Sequence, residues 1–166
     1  LEDMPGAHRA DRSAAVHAAG LLANLHGVTS PDGRFGLGFD TAPDYLPYIQ
    51  TTAAGMLNVR AGCYQRFVFA SAGSNAYDRL ELGIRYEDGF AAYLNGDLVA
   101  SRGTPATLAW NSAATGGRTE SLAVQWEWID LTPALGKLGP LNVLAVHGLN
   151  SSATSSDFLL HPVLRA

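Results

Sequence analysis

The chain has 166 residues, of which 47% are hydrophobic and 16% charged. This composition is typical of one globular domain that buries its own core. A net charge of −4 with only 11 lysines and arginines argues against nucleic-acid binding, which needs a basic face. No apolar run approaches the roughly 18 residues of a transmembrane helix, so we expect neither a nucleic-acid nor a membrane partner. The single cysteine, Cys63, excludes an internal disulfide and a cysteine-based zinc site.

The first 30 residues are rich in alanine, histidine and leucine. Leu21 and Leu25 could line one side of a helix, although Gly20 would weaken it. We therefore predict an N-terminal leader or short helix over residues 1–30, followed by a single domain over residues 31–166.

The central group of strands is predicted at residues 80–86, 90–94 and 98–100, where apolar residues alternate with polar ones or form short runs. Residues 87–89 supply turn chemistry between the first two strands. Asn-Gly at 95–96 favours a tight hairpin between the second and third. The pattern predicts a β-meander.

Other apolar runs separated by turn residues predict further strands and little helix. Gly36 and Gly38 suit a strand that passes close to another backbone. Trp126 and Trp128 share one face of an alternating strand and are expected in the core or between sheets. The fold class is therefore predicted as an all-β antiparallel β-sandwich. The additional strands are predicted at residues 35–40, 64–69, 121–131, 142–146 and 158–164.

The order of these motifs resembles that of galactose-binding-like jelly rolls, which include carbohydrate-binding modules. The motifs lie at residues 93–99, 130–135 and 141–146. The chain looks more closely like modules appended to large secreted bacterial multidomain proteins, through residues 86–96, 105–112 and 148–159.

This resemblance covers roughly residues 35–164. It implies a secreted jelly-roll domain that binds polysaccharide or oligosaccharide beside other domains of a larger chain. The chain departs from the pattern at its start, because such modules usually open with a Trp-containing strand and residues 1–30 contain no tryptophan.

Trp110 and Asn111, in a polar loop, are the best candidates for contacting a ligand. An indole can stack on the apolar C–H face of a sugar, and an adjacent amide can select its hydroxyl groups. The alternative is that Trp110 folds back as a lid on the core. Arg102, on the same connection, could offer a forked donor to vicinal hydroxyls or remain a solvated surface arginine.

Asp88 and Asn150 complete the predicted ligand-binding set. Asp88 is read first as a turn former and second as an acceptor for a sugar hydroxyl at a loop tip. Asn150 opens the polar segment 150–157 and lies in a glycosylation sequon, which matters only in a eukaryotic secretory pathway.

Motifs for enzyme chemistry are absent from the sequence: it has no Gly-x-Ser-x-Gly elbow, no His-Glu-x-x-His and no phosphate loop. Glu87 and Asp88 would point to opposite sides of a strand. His147 is expected to be a hydrogen-bonded core histidine. We therefore predict no catalytic residue, although two distant carboxylates could still meet in the fold.

No cofactor or metal is assigned. A structural calcium ion near Asp40, Asp130 or Asp157 is left open, because carboxylate oxygens suit calcium but the dense pattern of a calcium loop is lacking. The leading hypothesis is a non-catalytic carbohydrate-binding module that tethers a secreted multidomain protein or enzyme to polysaccharide. The alternative is a structural or protein-interaction β-sandwich.

Overall fold

The computed structural model describes residues 36–166. The leader or helix predicted over residues 1–30 lies outside this range. The strands are β1 Leu37–Asp40, β2 Thr51–Thr52, β3 Gly62–Ala70, β4 Glu81–Tyr86, β5 Gly89–Leu94, β6 Asp97–Arg102, β7 Glu127–Asp130, β8 Leu141–Leu149 and β9 Asp157–Arg165. A short helix, α1, spans Glu120–Ala123, and 3-10 turns span Leu46–Tyr48, Ala54–Met56, Ser74–Ala76 and Thr132–Lys137.

The strands form two sheets that pack face to face. The five-stranded sheet has the order β2-β1-β9-β4-β7, and the four-stranded sheet has the order β3-β8-β5-β6. The pairs are antiparallel except β1 with β2. Leu82 and Leu160 from one sheet meet Phe90 and Val146 from the other in a common buried core. The predicted all-β sandwich is confirmed at this level. In residues 36–166 no helix is long and apolar enough to cross a membrane.

The predicted hairpin at residues 95–96 is confirmed and joins β5 to β6. Asn95 and Gly96 both have positive φ, 54° and 94°, as a tight two-residue turn between twisted strands requires.

The predicted meander is wrong at its first turn, because β4 and β5 belong to different sheets. Glu87 donates its backbone N–H to Leu159 in β9, and the next residue, Asp88, donates to Leu149 in β8. The chain therefore switches sheets between these two residues, which are joined by a cis peptide bond.

The strand predicted over residues 121–131 is reduced to β7, because Glu120–Ala123 is helical. The core position predicted for Trp126 and Trp128 is also wrong. Trp128 is 40% exposed on the outer face of the five-stranded sheet, where its ring covers Gly83. Alternation gives one side of a strand but does not say which side faces the core.

The outer face of the five-stranded sheet is partly covered by the loop that precedes β2 and by α1. Tyr45, Ala123 and Leu159 form a second, smaller buried cluster there. Gly36 and Gly38 allow the close approach that their spacing predicts. A Cβ at Gly36 would collide with the carbonyl oxygen of Tyr48, and one at Gly38 with that of Phe158.

Candidate functional site

Trp110 lies in the long connection between β6 and α1, and its side chain is 64% exposed. The structure therefore does not fold it back as a lid on the core. Residues 109–112, called here the Trp110 turn, are closed by two hydrogen bonds. Ser112 N donates to Ala109 O at 3.1 Å, and Ala109 N donates to Ser112 Oγ at 2.8 Å. Asn111 is exposed beside Trp110.

The Trp110 turn is attached to the outer side of the four-stranded sheet. Tyr64 Oη donates to the carbonyl oxygen of Trp110 at 3.3 Å, and the Tyr64 ring stacks on His147 with ring centroids 4.1 Å apart. Farther along the connection, Ala114 N donates to Asn150 O at 2.9 Å. The exposed indole is therefore carried on a backbone that the sheet holds in place.

Arg102 is exposed but already has protein partners. Its Nε donates to Glu127 Oε1 at 2.8 Å and its Nη1 donates to Ser101 O at 2.9 Å. Tyr86 Oη also donates to Glu127, and Arg118 Nη1 donates to Tyr86 Oη. Burial first, and then the bond to Glu127, raise the pKa of Tyr86 to about 12. This network joins edge strands β6 and β7. Two of the Arg102 nitrogens predicted to serve sugar hydroxyls therefore already donate within the protein, Nε to Glu127 and Nη1 to Ser101.

Asp88 and Asn150 are buried supports rather than residues at loop tips. Asp88 Oδ1 accepts from Arg118 N and its Oδ2 accepts from Ser151 N, each at 2.7 Å. Asn150 is 1% exposed, and its Nδ2 donates to Asp157 O at 2.6 Å. The sequon nitrogen is thus buried in the folded domain. Through these hydrogen bonds, both side chains hold loops in place at one end of the sandwich.

An open cleft of about 590 Å³ lies above these supports. Glu87 and Asp88 both line it, which corrects the prediction that they point apart. They belong to the link between sheets, so strand alternation does not apply. We call this feature the acidic cleft; its lining includes Glu87, Asp88, Arg118, Ser151, Ser155 and Asp157.

Burial dominates the electrostatics of the acidic cleft. Glu87 is 6% exposed, and burial raises its pKa to about 8, with nearby Asp88 adding to the rise. The hydrogen bond that Tyr45 Oη donates to Glu87 Oε2 at 2.5 Å acts in the opposite direction. Burial also raises the pKa of Asp157. At neutral pH, Glu87 therefore carries a proton in most molecules.

The three residues named for a calcium ion are not brought together. Asp40 and Asp157 are paired across β1 and β9, whereas Asp130 pairs with Glu81 at the other end of the five-stranded sheet. The Asp40 carboxylate accepts from the backbone N–H of Ala42 and of Tyr45. Within residues 36–166, no group of three or more His, Cys, Asp or Glu side chains is placed to hold a metal ion.

His147 is buried, as predicted, but its hydrogen bonds are incomplete. It is 2% exposed, and its Nε2 has no hydrogen-bond partner in the described part of the chain. Burial lowers its pKa to about 4, so the ring is neutral at physiological pH.

Sequence reasoning missed the arginines that pack on rings. Arg118 lies 4.1 Å from the Tyr86 ring centroid, and Arg85 packs on Tyr48 and Trp126. The sequence feature that could have indicated this packing is the position of Arg85 between core residues of β4, which places its side chain on the outer face of the sheet. Its aromatic neighbours come from distant segments and leave no local pattern.

Comparisons with protein-family models, curated proteins and solved structures found no match to this chain.

Proposed function

We propose that the domain is a non-catalytic carbohydrate-binding module, built as a galactose-binding-like jelly roll. It would tether a secreted multidomain protein or enzyme to polysaccharide. The observation that carries the proposal is the exposed Trp110 side chain on a hydrogen-bonded turn. Large aromatic side chains are usually buried to a high degree, and an exposed one on a rigid support is suited to stacking on a ligand.

The Trp110 turn supplies the two parts that sugar recognition needs. The indole offers an apolar face for the C–H groups of a sugar ring, and the neighbouring Asn111 amide can donate and accept hydrogen bonds. The turn is already closed, so little conformational entropy is lost on binding. One stacked ring and a few hydrogen bonds give weak affinity, with a Kd on the order of micromolar to millimolar.

Affinity electrophoresis against a panel of neutral polysaccharides tests the proposal. We expect one class of polysaccharide to retard the parent domain, and Trp110→Ala to abolish the retardation. The matched control is Leu141→Ala. Leu141 is 63% exposed, like Trp110, but lies at the start of β8, and its replacement should leave the retardation unchanged.

A structural or protein-interaction role is the rival. If no polysaccharide retards the parent domain, or if Trp110→Ala is retarded as strongly as the parent, carbohydrate binding through Trp110 is contradicted. Cooperative unfolding of each variant must be shown first, so that loss of binding is separated from loss of the fold.

The acidic cleft favours a second candidate, acid–base hydrolysis of a glycoside. Glu87, whose pKa burial raises to about 8, lines the same open cleft as Asp157, and glycoside hydrolysis uses a pair of carboxyl groups. The measurement is release of reducing sugar by the parent domain and by Glu87→Gln. Hydrolysis that Glu87→Gln abolishes would support this candidate; no release from any polysaccharide that binds would contradict it.

A further inference from the structure

The outer face of the five-stranded sheet holds an arginine between aromatic side chains. Ile84 and Tyr86 of β4 lie in the core, so Arg85 points to the other side. Its guanidinium carbon lies 4.7 Å from the ring centroid of Tyr48 and 4.3 Å from that of Trp126. A guanidinium that packs its flat faces on rings keeps its N–H edge for hydrogen bonding.

The charge of Arg85 has no acidic partner in residues 36–166. Its Nε is buried without a hydrogen-bond partner among these residues. Burial accordingly lowers its pKa. Four other arginines each pair with a glutamate: Arg79, Arg102, Arg118 and Arg165.

His161 lies directly opposite Arg85 in the pairing of β4 with β9. It is 7% exposed, and its Nδ1 has no partner among the described residues. Its ring meets the edge of Trp126 at 5.0 Å between centroids. Burial and the charge of Arg85 lower its pKa to about 4, so it is neutral. Two adjacent side chains thus keep unsatisfied nitrogen atoms, an arrangement that is costly without a ligand.

We propose that Arg85 and His161 bind a carboxylate, and that the ligand is a uronic acid residue of an acidic sugar. A carboxylate is planar and accepts two parallel hydrogen bonds from the edge of a guanidinium. The neighbouring Trp128 ring is already covered by Gly83 and by the Arg165 guanidinium, so the carboxylate, and not a stacked sugar ring, supplies the main contact. The site is separate from Trp110, and either proposal can fail alone.

Titration of the full chain with sodium galacturonate, followed by NMR of the arginine Nε–H groups, tests this site. We expect the Arg85 resonance to shift and saturate, with a midpoint on the order of 1–10 mM. Galactose, which lacks the carboxylate, should cause no shift, nor should sodium chloride at equal ionic strength. Arg85→Lys, which keeps the charge but loses the fork, should raise the midpoint at least tenfold when binding is followed by calorimetry.

The matched control is Arg66→Lys. Arg66 likewise lies near an aromatic ring, 6.0 Å from the Tyr64 centroid, but it is exposed on the four-stranded sheet, and its replacement should leave the midpoint unchanged. The assignment is overturned if galacturonate causes no shift, or if galactose or salt causes an equal one. It is also overturned if inorganic phosphate saturates the resonance and galacturonate does not. The parent titration decides the question even if a variant fails to fold.

Discussion

Asp88 shows how a single buried carboxylate holds the loops of the acidic cleft. It accepts hydrogen bonds from the backbone of Arg118 and of Ser151, which belong to two different connections. If it is removed, two backbone donors lose their acceptor in a buried site. The cost of such unsatisfied groups is about 1–3 kcal/mol each.

We expect Asp88→Ala to lower the free energy of unfolding by about 2–4 kcal/mol, measured by urea denaturation. The control is Asp97→Ala, which removes an exposed carboxylate that pairs with Lys137. Its effect should be about 0.5 kcal/mol or less. Equal effects of the two substitutions would show that Asp88 does not clamp the loops.

At the level of elements, β4 and β7 are joined through the close fit of Trp128 on Gly83. A Cβ added at Gly83 would come within 2.6 Å of the Trp128 ring. The ring is held from elsewhere by Arg165, whose guanidinium carbon lies 3.6 Å from its centroid. The packing of Trp128 on the outer face of this sheet therefore requires that residue 83 be a glycine, which has no side chain.

We expect Gly83→Ala to displace Trp128 and to destabilise the domain by about 1–3 kcal/mol, in the range of overpacking substitutions. Thermal unfolding measures the stability, and near-UV circular dichroism reports the changed contact between the indoles of Trp126 and Trp128. Gly55→Ala is the control, since a Cβ there meets no atom within 4 Å. An unchanged dichroism spectrum for Gly83→Ala would contradict this packing.

The elements that sequence predicts well are those that local chemistry determines. The hairpin at 95–96 was predictable because two adjacent residues adopt positive φ. The partner strand of β4 was not, because Glu87 and Asp88 are neighbours in the chain but donate to strands of different sheets. Trp110 was predictable as part of a loop, whereas the bond that its carbonyl oxygen accepts from Tyr64 joins residues distant in sequence. The hydrogen bonds of Asp88 to two loops could not be predicted, since those loops are also distant in sequence.

Across the whole molecule, buried ionisable groups make stability depend on pH in two directions. Burial lowers the pKa of His147 and of His161 from 6.5 to about 4. The unfolded chain then binds more protons than the folded one below pH 6.5, and stability falls as the pH drops. Glu87 behaves oppositely: its pKa rises from 4.5 to about 8, so its contribution is lost as the pH rises through that range.

We therefore expect the free energy of unfolding to be greatest near pH 6.5. Above this pH the two histidines are neutral in both the folded and the unfolded state, whereas Glu87 continues to lose its stabilising contribution. Between pH 6.5 and 8 it should fall by about 2 kcal/mol, at about 1.4 kcal/mol per pH unit. Urea denaturation at several pH values gives the profile.

Glu87→Gln tests whether Glu87 causes the decline in the free energy of unfolding above pH 6.5. The amide keeps an oxygen that can accept from Tyr45 and cannot ionise, so we expect the variant to match the parent domain near pH 6.5 and to lose the decline above it. A decline of unchanged size in the variant would assign it to another group.

Of the three tryptophans, Trp110 is the one that we propose to stack on a neutral sugar. The most direct test follows the three indole N–H resonances by NMR while the retarding neutral polysaccharide, or a soluble oligosaccharide of it, is added. We expect the resonance missing from Trp110→Ala to shift and the other two to stay in place. A shift of the other two alone, or no shift at saturating sugar, would contradict it.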